Sequence, residues 1–260
     1  MPIDLPAPPP EAGACSFRLI CFNLGKEDAF LITTPHSAVL IDTGSRENGK
    51  ELAKALLELG VERLNCLLLT HFDADHVGGV HQILKRLTVE QVLESPLCSH
   101  NKDSQQHRLV LKKHGVSPDK VRSAEQMQLD GVSYTLLPPG KKHYAQDERN
   151  NASLLIHVRH GGNTFLFTGD AREARITEYL DGEPERCDWL KIPHHGHYQR
   201  TLPRLLHTLT PRYAVITSSD ERPEDLRTVD ALRQTGCQIA LTRQGTVVYY
   251  SDGEEIFTAQ

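Results

Sequence analysis

The sequence lacks the features that mark several other classes of protein. Its 260 residues contain no run of about 18 apolar residues, so no transmembrane helix is expected. Acidic residues outnumber basic ones, 34 against 29, and the formal charge is −5. This balance disfavours a protein that wraps duplex DNA by overall positive charge, so a nucleic-acid partner would need a local site. No G-x-S-x-G motif occurs, which argues against an α/β-hydrolase.

The N-terminal residues and the cysteines favour a reducing compartment. The opening MPIDLPAPPPEAGA has no basic segment followed by an apolar one, so residues 1–15 are predicted to be a flexible tail and not a secretory signal. The six cysteines include no close C-x-x-C pair. That usage is typical of reduced thiols, mostly buried in strands. We therefore expect a cytoplasmic protein.

Short apolar segments alternate with amphipathic ones along the rest of the chain, which predicts an α/β protein. No composition shift or linker divides residues 16–260, so they are expected to form a single domain. About a dozen strands and about five helices in one domain imply more than one sheet. The predicted strands are 17–24, 29–33, 38–42, 64–70, 89–94, 131–137, 153–157, 164–168, 188–192, 213–217, 238–242 and 246–251. The predicted helices are 49–59, 77–87, 103–114, 172–180 and 223–234.

Three of the predicted strands end in loops that place Asp or His beside glycine. These loops read THFDADHVGG at 70–79, TGD at 168–170 and PHHG at 193–196. Carboxylates and neutral imidazoles are ligands for divalent metal ions, and a bound ion would acidify a water molecule. Each motif alone could be a turn or a helix cap, as Asp75 could be before residue 77. The three together favour a metal site. The candidate ligands are His71, Asp73, Asp75, His76, Asp170 and His195.

These motifs resemble those of the metallo-β-lactamase-fold hydrolases. The branch that they resemble most closely contains the hydrolase domain of the ComEC competence channel and its stand-alone relatives. The segments FNLGKEDAFLI, VLIDTGS, NNASLLIHV and ITSS extend the resemblance over about residues 17–250. It implies a four-layer αββα sandwich, with two mixed β-sheets flanked by helices. It also implies one or two divalent metal ions, zinc or manganese, at one edge of the sheets.

The sequence departs from the general family motif at several positions. Asp73 stands where a second His of H-x-H-x-D-H is usual, and NNAS at 150–153 stands where many relatives supply another His. Both departures are similar to the ComEC-like branch. They make the first metal site richer in oxygen, which favours manganese or mixed occupancy. In addition, GKED at 25–28 replaces the branch's GQGD but keeps Asp28, and His197 follows HHG where Ser is common.

The resemblance also suggests a role for each candidate residue. Asp75, His76, Asp170 and His195 are expected ligands, followed by His71, whereas Asp73 is either a ligand or a carboxylate that orients a ligand imidazole. Asp75 and His194 are the candidate catalytic residues. His194 is an alternative to His195 as the late ligand; if it is free, it would contact a substrate phosphate or protonate the leaving group. Asp42 is expected to hold the loop beneath the site. Asn151 and Ser153 either line the pocket or belong to a turn.

The predicted function is metal-dependent hydrolysis of a phosphodiester, with nuclease activity as the form that the family suggests, through attack by a metal-bound hydroxide. The expected partner is a phosphodiester substrate, either a nucleic acid or a nucleotide, and no membrane. One alternative is a carbonyl substrate (a lactone, thioester or β-lactam), marked by a roomy apolar pocket without cationic groups. Another alternative is a non-catalytic protein that binds a metal or a partner. The basic clusters 112–114 and 141–143 could contact phosphates, although a solvated surface also explains them.

Overall fold

Two mixed β-sheets form the centre of the protein. The computed structural model describes residues 3–97 and 101–259. One sheet has eight strands in the order β15-β14-β1-β2-β3-β4-β5-β6, and the other has seven in the order β13-β12-β11-β10-β9-β8-β7. The strands are β1 Phe17–Cys21, β2 Phe30–Thr33, β3 Ala38–Ile41, β4 Arg63–Leu69, β5 Thr88–Glu94, β6 Asp119–Lys120, β7 Glu125–Leu129, β8 Val132–Leu137, β9 Leu155–His160, β10 Asn163–Phe167, β11 Trp189–Lys191, β12 Tyr213–Ile216, β13 Gln238–Leu241, β14 Val247–Ser251 and β15 Ile256–Ala259.

Each sheet combines a parallel block with an antiparallel block. Strands β3 to β6 are parallel in the first sheet, and β10 to β13 are parallel in the second. Parallel strands are covered on both faces, which explains the continuous apolar sequences of β4 and β12. The loops that follow β4, β10 and β11 meet at one edge. There the backbone N–H of Leu154 donates to Thr70 O of the other sheet at 2.8 Å.

Helices cover the outer faces of both sheets, as the αββα prediction required. Aromatic and aliphatic side chains, among them Trp189, Phe165 and Tyr134, fill the space between the sheets. Separate apolar layers lie under the helices on each side. The helices are α1 Gly49–Glu58, α2 Ala74–Val77, α3 Val80–Arg86, α4 Lys102–Lys113, α5 Glu148–Asn151, α6 Glu173–Asp181, α7 Leu202–Leu209 and α8 Leu226–Gln234.

The predicted elements are all present, with boundaries that differ by a few residues. The helix expected over 77–87 begins earlier and is divided by Gly78 and Gly79 into α2 and α3. Three strands and two helices were not predicted: β6, β7, β15, α5 and α7. The glycines at 161 and 162 form the turn of an antiparallel hairpin between β9 and β10.

The described cysteines are free thiols, and four of the five are buried, as expected; Cys98 lies outside the described residues. Within residues 3–97 and 101–259, no helix has the length and apolar character that crossing a membrane requires. Near the N-terminus, residues 10–14 form a 3₁₀ turn, and Ile3 and Leu5 pack against the apolar layer under the first sheet.

Candidate metal centre

The loop after β4 supplies four of the candidate ligands within six residues. His71 and His76 are fully buried, and Asp73 and Asp75 are partly exposed. Helix α2 returns the chain under the β3 end, where the backbone N–H of Thr43 donates to His76 O at 2.7 Å. This approach requires glycine, because a Cβ at Gly79 would lie 2.2 Å from Thr43 O. The VGG that follows His76 therefore has a packing role.

The loops after β10 and β11 supply Asp170 and the two adjacent histidines. The backbone N–H of Asp170 donates to Ser153 Oγ at 3.1 Å, which fixes the aspartate at the sheet edge. His194 and His195 both have left-handed backbone conformations, with φ of 49° and 53°. Such conformations are strained for residues other than glycine, and they cluster at functional sites. The strained turn points the His195 imidazole towards Asp170 and the His194 imidazole towards Arg172.

Several donor atoms converge on one point in the described chain. His76 Nε2 lies 3.4 Å from Asp170 Oδ1, and His195 Nε2 lies 3.2 Å from Asp170 Oδ2. Asp75 Oδ2 lies 3.5 Å from His195 Nε2. Ligand bonds of about 2.1 Å in a tetrahedral shell place neighbouring donors about 3.4 Å apart. These separations are therefore those of atoms that share a metal ion.

The imidazole nitrogens of the donor set lack hydrogen-bond partners. The Nε2 atoms of His71, His76 and His195 are buried, and none of them has a hydrogen-bond partner. Buried polar atoms without partners are costly, and a metal ion satisfies such nitrogens directly. His71, His76 and Asp170 also have donor atoms within 4.8 Å of one another. The donor set fits a divalent ion.

The opposite nitrogens of two of these imidazoles are held by protein groups. His76 Nδ1 is 2.7 Å from Asp42 Oδ2, and Asp42 also accepts from Thr70 N at 2.8 Å and from Thr70 Oγ1 at 2.6 Å. His195 Nδ1 is 2.9 Å from Thr217 Oγ1 and 3.1 Å from Thr217 O. With the proton on Nδ1, both Nε2 lone pairs face the site. Asp42 lies beneath the metal loop, as the sequence suggested.

Asp28 and Lys191 lie behind the donor set, and neither was assigned a role from the sequence. Lys191 is fully buried, and its Nζ lies 2.6 Å from Asp28 Oδ2, 2.7 Å from Gly169 O and 3.3 Å from Asp170 Oδ1. Thr217 Oγ1 donates to Asp28 Oδ1 at 2.6 Å. The sequence contained one sign that Lys191 has a special role, because a lysine is unusual inside an apolar strand such as DWLKI.

Asp28 also lies close to Nδ1 of His76 and of His195, at 3.8 and 3.5 Å. That grouping does not form a second metal site, because each Nδ1 has a closer partner in Asp42 or Thr217. In addition, the Lys191 ammonium already occupies the position beside Asp28 Oδ2.

Burial and neighbouring charges shift several pKa values in the site. Burial lowers the pKa of His71 to about 4 and the pKa of His194 to about 3, which keeps both imidazoles neutral near pH 7. Burial raises the pKa of Asp73 to about 6. For Lys191, burial lowers the pKa, but the carboxylates of Asp28 and Asp170 more than offset this, and the ammonium stays charged.

The remaining candidate residues lie at or beside the cluster. Asp73 Oδ2 is 3.9 Å from His71 Nε2 and 3.5 Å from the Arg149 guanidinium. His194 Nε2 is 3.8 Å from Asp170 Oδ2, farther than His195, and its Nδ1 accepts from Arg172 at 2.7 Å. Asn151 does not line a pocket, because its Oδ1 accepts from the first backbone amides of α6.

Comparisons with known proteins identify the family of this chain. The Metallo-beta-lactamase superfamily model matches residues 23–218, a range that includes every candidate ligand. The sequence is 28% identical over 216 residues to ComE operon protein 3 of Bacillus subtilis, covering 75% of this chain and 27% of that protein. It is 27% identical over 212 residues to Recombination protein 2 of Haemophilus influenzae, covering 80% and 25% of the two chains. The chain thus spans about a quarter of the length of these relatives, which are consistent with the ComEC-like branch.

A solved structure shows the same fold. The metallo-beta-lactamase fold protein YhfI from Bacillus subtilis superposes with a TM-score of 0.64 at 12% identity, covering 90% of this chain and 100% of that one. The fold, the converging donors and the family match over most of the chain lead to one assignment. This chain belongs to the metallo-β-lactamase superfamily, whose members are in general metal-dependent hydrolases that bind one or two divalent ions.

Proposed function

We propose that this protein is a metal-dependent phosphodiester hydrolase whose substrate is a nucleic acid or a nucleotide. The observation that carries the proposal is the positive charge around the donor set. Arg149 lies 3.5 Å from Asp73 and 3.9 Å from Asp103, and Arg172 donates to His194 and lies 3.6 Å from Asp147. Lys26 Nζ is 3.0 Å from His197 Nε2, and the His197 ring stacks on His194 at 4.7 Å. Three cations at the rim suit an anionic substrate better than a neutral lactone or thioester.

The proposed ligands are Asp75, His76, Asp170 and His195, with His71 and Asp73 on the adjoining side. A divalent ion held there would polarise a phosphoryl group and lower the pKa of a bound water. Asp75 is the most exposed of the proposed ligands, with 32% of its side chain accessible. Its carboxylate can therefore accept a proton from an attacking water while its Oδ2 faces His195.

His194 is proposed to bind the substrate phosphate. Because Arg172 donates to His194 Nδ1, the imidazole proton lies on Nε2, which faces Asp170 and lies 3.2 Å from the side-chain amide of Asn150. A substrate phosphate would replace this contact with Asn150. A neutral Nε2–H donates a hydrogen bond to a phosphoryl oxygen, but it is a weak acid. The arrangement therefore favours contact with the phosphate over protonation of the leaving group.

The test is hydrolysis of bis-p-nitrophenyl phosphate by protein stripped with a chelator and refilled with Mn²⁺ or Zn²⁺. We expect metal-dependent turnover that is lost in an Asp75→Ala, His76→Ala double variant. Arg149→Gln should lower kcat/KM for the phosphodiester about tenfold, with no change for the neutral ester p-nitrophenyl acetate. Arg186→Gln, which removes an exposed charge after α6, serves as the matched control.

Each outcome assigns the function differently. Stoichiometric metal binding with turnover of the neutral ester alone would favour a carbonyl substrate. Metal binding with no turnover of either ester would favour a non-catalytic metal-binding protein. An Arg149→Gln effect no larger than that of Arg186→Gln would remove the support that the cationic rim gives to the phosphodiester proposal.

A further inference from the structure

We propose that Lys191 is a resident counter-cation of the metal centre: it holds Asp28 and Asp170 in place without a metal ion and opposes binding of that ion. The inference rests on the ligand assignment proposed above. It concerns a positioning residue, because Lys191 is placed behind the donors.

The first argument is the geometry of the ammonium group. The ammonium donates hydrogen bonds to Gly169 O at 2.7 Å and to Asp170 Oδ1 at 3.3 Å, and it forms an ion pair with Asp28 Oδ2 at 2.6 Å. The side chain is fully buried. A lysine satisfied in this way is locked in position, and so are the two carboxylates that it joins.

The second argument is the density of negative charge. Asp28, Asp42 and Asp170 are almost completely buried, and Asp73 and Asp75 lie beside them. Buried carboxylates without cations are strongly destabilising. Among the lysines and arginines of the described chain, Lys191 contacts two of these carboxylates, whereas Arg149 contacts Asp73 from the rim.

The third argument links Lys191 to the late ligand. Asp28 accepts from Thr217, and Thr217 in turn contacts Nδ1 of His195. One chain of contacts therefore runs from Asp170 through Lys191, Asp28 and Thr217 to His195. The two ligands at its ends keep their positions when the ion leaves.

The inference predicts the direction in which removal of Lys191 changes metal affinity. A fixed positive charge beside Asp170 repels a divalent cation that Asp170 binds, so its removal should tighten metal binding. The same removal leaves two buried carboxylates unpaired in the metal-free protein, which should destabilise that state. A purely structural lysine would show only the second effect.

The experiment compares Lys191→Met with Leu190→Ala on the same strand. Leu190 is fully buried in the apolar layer under the helices, away from the donors, so its truncation destabilises the protein without touching the site. Co²⁺ affinity of the metal-free proteins is measured by competition with a chromophoric chelator, and thermal stability is measured with and without Co²⁺. We expect Tm of both metal-free variants to fall by about 10 °C.

The metal affinities separate the two variants. Lys191→Met should bind Co²⁺ about tenfold or more tightly than wild type, and Co²⁺ should raise its Tm more than that of wild type. Leu190→Ala should keep the wild-type affinity. An unchanged or weaker affinity in Lys191→Met would overturn the inference, as would equal tightening in Leu190→Ala.

If Lys191→Met does not fold, a second pair of variants makes the same comparison of metal affinities. Lys191→Met/Asp28→Asn removes the cation together with one of its carboxylates, and Asp28→Asn alone is its reference. The double variant should again bind Co²⁺ about tenfold more tightly than Asp28→Asn. Equal affinities would overturn the inference. A wild-type protein that binds no Co²⁺ would instead refute the ligand assignment of the proposed function.

Discussion

Replacement of Asp42 by asparagine should turn the His76 imidazole into a poor ligand without removing any ligand. Asp42 Oδ1 accepts from the backbone N–H of Thr70, and Oδ2 faces Thr70 Oγ1 and His76 Nδ1. A backbone N–H cannot reverse its direction, so the substituted side-chain amide would place its oxygen there. Its NH₂ group would then point at His76 Nδ1 and force that nitrogen to accept. The imidazole proton would move to Nε2, the atom that we propose binds the metal.

The magnitude follows from the bonds that change. Hydrogen bonds to charged groups contribute about 1.5–3 kcal/mol each, and two of the three at Asp42 are altered, so unfolding free energy should fall by about 3 kcal/mol. Loss of a group that orients a ligand imidazole costs about 10- to 100-fold in metal affinity. Urea unfolding of the metal-free protein measures the first quantity, and titration with Mn²⁺ or Zn²⁺ measures the second.

Asp188→Asn provides a matched control in the other sheet. Asp188 Oδ2 accepts from both Thr164 N and Thr164 Oγ1, at 2.8 and 2.9 Å, the same pair of groups that Thr70 offers to Asp42, but no histidine is attached. Both variants should lose stability, and only Asp42→Asn should lose metal affinity. Wild-type metal affinity in Asp42→Asn, or an equal loss in Asp188→Asn, would refute the tautomer argument.

Three further changes test the fold around the site. Asn151→Ala removes the cap of α6 and should cost about 1 kcal/mol in urea unfolding, with metal affinity retained. Burial lowers the pKa of His157 to about 4, below the unfolded value of about 6.5, so the unfolded state binds more protons between these pH values and stability is lost as pH falls through them. His157 should contribute about 3 kcal/mol to that loss, and His157→Gln should reduce the loss by about this amount. Leu206→Ala opens a cavity between α7 and the second sheet and should cost about 2–5 kcal/mol, whereas an exposed position such as Leu226→Ala should change stability by less than about 0.5 kcal/mol.

The sequence predicted the site loops because each of them is local. His71, Asp73, Asp75 and His76 are joined by a few residues, and the apolar run before them marks the strand that fixes their start. The same holds for TGD after β10 and for HHG after β11. The loops after β10 and β11 meet because the carboxyl ends of neighbouring parallel strands share one edge of a sheet. The loop after β4 belongs to the other sheet and joins them where the two sheets pack together.

Elements with weak or short patterns were not predicted. Strand β7, EQMQL, lies at the edge of its sheet and is mostly exposed, and its apolar alternation is limited to two residues, Met127 and Leu129. Helix α7 is different, because its buried residues Leu202, Leu205, Leu206 and Leu209 have helical spacing. The signal was present, but the segment is only eight residues long and begins beside a proline.

The contacts behind the ligands depend on pairing between distant segments. Thr217 Oγ1 and Asp28 are 189 residues apart in the chain and 2.6 Å apart in space, and no local pattern connects them. Lys191 likewise acquires its role only when β11 is placed beside β10 and the loop before β2 closes over both. The two kinds of residue therefore differ in what determines them: a ligand is identified by its own loop, whereas a group that orients a ligand is identified by the packing of the sheets. The Asp42→Asn and Lys191→Met variants both act on this second kind of residue, with opposite expected effects on metal affinity, because one removes an acceptor that fixes a tautomer and the other removes a charge that repels the ion.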